Sequence, residues 1–313
     1  MPHVFFRATV DALDNITSIF DFVHPLNVSL RFTRSKVQEE YNYNPSYTDS
    51  DFQALFDPDQ NVHGANYKRA FITTNWEEQE ERLAWILLNN LFAIHEGWAQ
   101  RLHTEIFNGY GYDDKVFTKN LEFPGLSSKF SSYFAPRKKT SSILSTSFYI
   151  PYKSACNLDF SKLENYMLCY RYFKEARNCF MHRNFVASQA IIDAYCNLSS
   201  IYTTANFDVS EVPKIIPPVL NKPVRLSLRG VIGFSQIVQR IMIISDINLI
   251  KCKAAEKEFL ARIPSNWNSR TLSSDQSTAH DQISIFSRKL GLLKATWSID
   301  YQNFLINNHL FNI

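Results

Sequence analysis

Three polar side chains between Glu175 and Asn184 have the types and spacing to act on a phosphate ester. They are Arg177, Asn178 and His182, in the run Glu-Ala-Arg-Asn-Cys-Phe-Met-His-Arg-Asn. An imidazole gives or takes a proton near neutral pH. A guanidinium stays cationic and presents a planar fork of donors, which suits negative charge building on phosphoryl oxygens. The surrounding apolar rhythm (Tyr166, Cys169, Tyr170, Phe173, Ala176, Phe180) puts all three on one helix. On an ideal helix Asn178 and His182 share a face, while Arg177 lies about 140° from His182. One helix alone therefore offers a splayed, incomplete site. The plain structural alternative is Arg177 paired with Glu175 or another carboxylate, and His182 solvated at a helix end that favours its charge.

The elements that must position these residues are helical. The motif helix is predicted from Asp159 or Ser161 to about Arg183, with Glu164 completing a weak capping box. A long helix is predicted from Asn75, as N-cap, to Phe107, with acidic residues crowding its first turns and a stripe of Leu83, Ile86, Leu87, Leu91, Ile94 and Trp98. Further helices are expected over 4–22, 185–202, 229–263 and 276–307. Residues 25–60, with Pro45 and Pro58, read as irregular. So does 109–158, a loop or insertion with short strands near 143–150, and so does the proline-rich, extended 207–228, as a hairpin. The total is about six helices: an all-α helical bundle with irregular insertions. Its expected divisions are an N-terminal helical extension (1–74), a helical domain (75–263, insertion 109–158) and a C-terminal helix packing on the bundle (264–313).

Composition narrows the class without naming the chemistry. The 313 residues are 45% hydrophobic and 20% charged, with 25 Phe, 15 Tyr and only 8 Gly, a balance suited to packed helices. A net charge of +3 neither demands nor excludes nucleic acid. No signal-peptide layout and no apolar run near the roughly 18 residues of a spanning helix is evident, so a cytoplasmic protein without a membrane anchor is expected. Five dispersed cysteines read as buried free thiols. His95-Glu96 fails as a zinc site because the position a second His would need is Ala99. No Walker A, zinc-finger or nucleophile-elbow pattern is present. Lys129, Arg137, Lys138 and Lys139 interleave with Phe130, Tyr133 and Phe134, a mixture suited to single-stranded RNA or equally to a solvated loop.

Arg-Asn-x-x-x-His within an amphipathic helix of an all-α chain resembles the R-x(4–6)-H motif of the HEPN superfamily, Asn178 standing as the polar residue that often follows the Arg. The order of parts is similar too: a long helix carrying Ala93-Ile94-His95-Glu96-Gly97-Trp98, an insertion, the motif helix, and a late helix from about Gly230. The likeness covers roughly residues 75–260. It implies a HEPN-like bundle and a metal-independent endoribonuclease of the toxin or anti-phage (abortive-infection) type, needing no cofactor, with Arg177, His182 and Asn178 at its centre. RNA would supply its own 2′-hydroxyl as nucleophile, leaving 2′,3′-cyclic phosphate and 5′-hydroxyl ends. The resemblance further implies a homodimer that pools two motif helices, Glu96 as the residue holding Arg177, and RNA (tRNA among the candidates) as partner. An antitoxin or defence-system protein is a further candidate partner. The alternative within the family is a catalytically inactive subunit that binds RNA or a partner.

Overall fold

The computed structural model describes residues 3–59, 64–107, 140–253 and 255–312. Of these, 69% are helical and 3% are in strand, so the all-α expectation holds. Helix α3 (Trp76–Phe107) is the axis of the fold. Asn75 starts it, its Oδ1 accepting the Glu78 N–H at 2.8 Å. Removing that cap by Asn75→Ala is expected to cost about 1 kcal/mol, read as a lower urea midpoint. Around α3 pack α1 (Arg7–Tyr43), α6 (Leu163–Arg183) and α9 (Leu228–Leu249). Surrounded in this way, α3 buries Leu83, Trp85, Leu88, Phe92, His95 and Trp98 on a broad face, whereas Ile86 of the expected stripe is exposed.

Several expectations are overturned. Residues 25–43 are not irregular: α1 runs 37 residues straight through Pro25. Proline costs one backbone hydrogen bond, and tertiary packing on both sides of it carries the helix through. The N-terminal half of α1 lies on α3. The C-terminal half builds a satellite core of Val37, Phe52 and Phe71 with α2 (Asp49–Phe56) and the π-turn Arg69–Thr73. α2 is started by a Thr48–Asp51 capping box that sequence reading misses. The strands expected near 143–150 are helical instead: α4 (Ser142–Leu144), a π-turn (Ser145–Tyr149) and α5 (Ile150–Cys156). Leu144, Phe148 and Tyr152 recur every four residues and are buried. Pro151 falls in the first turn of α5, where its missing N–H costs nothing.

The segment 208–227 is extended, but no hairpin forms; a single bridge joins Val186 to Pro223. It presses on the start of α9, where a Cβ on Gly230 would lie 2.1 Å from the Lys214 carbonyl oxygen. Between these regions lie α7 (Gln189–Ser199) and α8 (Thr204–Phe207). The single helix expected over 229–263 splits into α9 and α10 (Ala255–Ala261). That expected over 276–307 splits into α11 (Gln276–Lys289) and α12 (Ile299–Asn307), with Gly291 at φ +73° between them. The described residues thus make 12 helices rather than about six, because local caps such as Ser141, Thr203 and Ser298 start short helices inside stretches that read as loops or as one element. A two-residue parallel pair, β1 (Arg270–Thr271) with β2 (Phe311–Asn312), closes the C-terminal region.

One contiguous core runs from Phe5 and Phe6 to Phe311 and draws on all three expected divisions. At its centre, Asp246 on α9 is fully buried and accepts the N–H groups of Phe5 (2.6 Å) and Phe6 (2.9 Å), so it caps the start of α1. By length and composition α9 is apolar enough to cross a membrane, against the expectation that no stretch approaches this, but 72% of its most apolar window is buried in the fold. Of the five free cysteines only Cys169 and Cys179 are buried; Cys196 is exposed.

Candidate active site

The motif helix α6 is entered through a short 3₁₀ turn, Phe160–Lys162, rather than the expected Ser161–Glu164 box: Asp159 Oδ1 accepts the Ser161 N–H at 2.9 Å. Its exit is sharper. Asn184 (φ 47°) and Phe185 (φ 70°) are both left-handed, and the Phe185 N–H returns to the Cys179 carbonyl at 3.0 Å. Left-handed backbone is uncommon for a bulky aromatic residue. Here it drops the Phe185 ring onto Phe180 (4.9 Å) and Trp85 (5.3 Å), and that packing holds the turn. The stop leaves His182 in the last helical turn.

α6 packs antiparallel to α3: Trp85 meets Phe180, Phe92 meets Tyr170, and Glu96 meets Lys174 and Arg177. This places Arg177 Nη1 3.1 Å from Glu96 Oε1. The same oxygen accepts Lys174 Nζ at 2.5 Å. Both cations lie over the Phe92 ring, at 5.2 Å (Lys174) and 5.6 Å (Arg177) from its centroid. The Lys174 side chain is 5% exposed, that of Arg177 23% and that of Glu96 26%, so the pair forms a rim with Arg177 at its open side. Arg177 Nε is buried without a hydrogen-bond partner.

Asn178 lies in a second polar chain. Its Nδ2 donates to Glu175 Oε2 at 3.2 Å, and Arg171 Nη2 pairs with Glu175 Oε1 at 2.6 Å. Arg171, Glu175, Asn178 and His182 follow one face of the helix by their spacing of four, three and four. His182 is exposed and makes no hydrogen bond among the described residues. The structure therefore brings Glu96 to Arg177 but does not bring Arg177 to His182 within one chain; they stand about 7.5 Å apart along the helix axis. The four basic residues Lys129, Arg137, Lys138 and Lys139 lie outside the described residues.

Sequence reading missed Lys174 and Arg171, and offered Glu175 as a partner of Arg177, whereas it pairs with Arg171. The available signal was position: Lys174 and Glu175 fall three residues before Arg177 and Asn178, a spacing that stacks side chains on a helix. His95 is not a ligand but a core residue, 3.0 Å from the Tyr170 hydroxyl through Nδ1 and fully buried. Burial, with the nearby Lys174 charge, pushes its pKa down to about 3, so the ring is neutral at physiological pH. Among the described residues no three His, Cys, Asp or Glu side chains gather as a metal site. Compared with protein-family models, curated proteins and solved structures, the chain has no match.

Proposed function

We propose that the protein is a HEPN-type, metal-independent endoribonuclease acting as a homodimer, of the toxin or anti-phage kind, working on RNA in the cytoplasm. The reading is carried by Arg177, which is tethered to Glu96 across two antiparallel helices with part of its guanidinium exposed. The exposed, unpartnered His182 on the same helix adds to it. In the reaction, the RNA 2′-oxygen attacks the adjacent phosphorus as its proton passes to one imidazole. The P–O5′ bond breaks as a second imidazolium protonates the leaving oxygen. The products are a 2′,3′-cyclic phosphate and a 5′-hydroxyl, and protons balance between the two histidines. Arg177 stabilises charge on the non-bridging oxygens. The splay of Arg177 and His182 along α6 favours two motif helices meeting, so that the Arg of one copy serves the His of the other. An antitoxin or defence-complex partner fits this reading as the agent that silences the site.

The test is incubation of purified protein with total RNA in excess EDTA, followed by mapping of the ends. Cyclic-phosphate and 5′-hydroxyl ends from wild type, absent with Arg177→Ala, are the expected result. Equal cleavage by both would sink the site. Wild type that binds RNA but leaves it whole would favour the inactive binding subunit.

A further inference from the structure

We infer that the charges around Glu96 form a seat for a single RNA phosphodiester at Arg177, and that Lys174 creates this seat by taking up the negative charge of Glu96. The inference rests on the ribonuclease reading for its choice of anion, and on the following charge balance for its geometry. Among the described residues, three cations (Arg171, Lys174, Arg177) are paired with two carboxylates (Glu96, Glu175). Arg171 is matched by Glu175 at 2.6 Å. Lys174 and Arg177 share one oxygen of Glu96, and the shorter contact, 2.5 Å, belongs to the buried lysine. The surplus positive charge therefore falls on Arg177, which is the more exposed of the two and has the longer contact at 3.1 Å. A phosphodiester carries one negative charge and accepts from a guanidinium fork, so it neutralises the surplus. Without Lys174, Glu96 would spend its full charge on Arg177 and hold the guanidinium as an internal ion pair. Lys174 is thus a positioning residue: it touches neither RNA nor the reacting atoms, and it frees Arg177 to do so.

The test uses a 2′-O-methyl RNA oligonucleotide, which binds but has no free 2′-hydroxyl to attack. Its affinity is measured by fluorescence anisotropy for wild type, K174Q, E96Q, K174Q/E96Q and R177Q, with a thermal melt of each. K174Q is expected to weaken binding about tenfold, the worth of one charge-assisted hydrogen bond. E96Q is expected to tighten binding while lowering Tm, because it frees Arg177 but leaves two cations without their carboxylate. K174Q/E96Q restores one surplus charge and is expected to return affinity to near the wild-type value. R177Q binds weakly. A merely structural role for Lys174 would make affinity follow Tm across the set, and E96Q weakening binding in step with its Tm would overturn the inference. Wild type that cleaves RNA, with K174Q and E96Q binding as wild type does, would remove the seat and keep the nuclease. Wild type with neither affinity nor cleavage would remove both.

Discussion

Replacing His182 by alanine is expected to lower the rate of RNA cleavage by about two to four orders of magnitude, the usual worth of a positioned proton-transfer group, while Tm stays within a degree or so. The two halves of that expectation come from one fact: His182 is exposed and makes no hydrogen bond among the described residues, so the fold loses nothing when it goes. Arg177→Ala differs, because it also leaves Glu96 with Lys174 alone and strips a cation from the Phe92 ring. Single-turnover cleavage with parallel thermal melts separates the two variants. Mixing them probes the composite site: a dimer built from one Arg177→Ala chain and one His182→Ala chain retains one intact Arg–His pair across its interface. Because the hybrid keeps only one of the two histidines that the reaction uses, mixed protein is expected to fall well below wild type yet to exceed either parent. Mixed protein as inactive as its parents would rule out a site shared between copies.

The second large effect is on stability against pH. His95 has a folded pKa of about 3 against an ordinary 6.5, chiefly through burial. Below pH 6.5 the unfolded chain binds a proton that the folded chain refuses, so this group's contribution to stability is lost as pH falls from 6.5 towards 3. Asp246 runs the other way. Burial lifts its pKa to about 6 from 3.8, against the pull of the Phe5 and Phe6 N–H groups and Thr9. Between those values the folded chain holds the extra proton, so stability from this group falls as pH rises from about 4 to 6. The slopes oppose across pH 4–6, and from these two groups wild type is expected to be nearly flat there. His95→Gln unmasks Asp246, gaining about 2 kcal/mol as pH falls from 6 to 4. Asp246→Asn unmasks His95, losing about 3 kcal/mol between pH 6.5 and 4. Urea unfolding at several pH values measures both. Parallel profiles for the three proteins would show that neither group titrates as its surroundings dictate.

Much of the frame is legible before any coordinates. Asn75 and the acidic first turn mark the start of α3, and the four-residue recurrence of apolar side chains marks α6, because a cap and a period are local properties of the chain. The stretch 25–43 misleads because its polar residues show no clear helical period, and only distant packing on α3 and the satellite core holds it helical through Pro25. The run 143–150 misleads because its β-branched and aromatic residues (Ile143, Thr146, Phe148, Tyr149 and Ile150) favour strand locally, and only packing shows the helical spacing of Leu144, Phe148 and Tyr152. At the site, Glu96 is reached through family likeness rather than through spacing. Lys174 is hidden for a further reason: a lysine beside Tyr170 and Phe173 reads as a surface residue until α3 brings Glu96 and Phe92 against it. Long-range pairings of this kind have no signature in a single sequence.

The capping of α1 by Asp246 ties together groups 240 and 241 residues apart in the chain. At a synthesis rate of 5–20 residues per second, roughly 10 to 50 s separate the appearance of Phe5 from that of Asp246. Throughout that interval the first helix has neither its N-terminal acceptor nor α9 to cover its apolar face, and closing so long a loop is itself slow. The nascent chain can lay α1 on α3 once residue 107 has emerged, but Phe5 and Phe6 stay unanchored and the core closes only once residue 246 has emerged. Under the ribonuclease activity proposed above, this order of events would spare the message from which the chain is being translated.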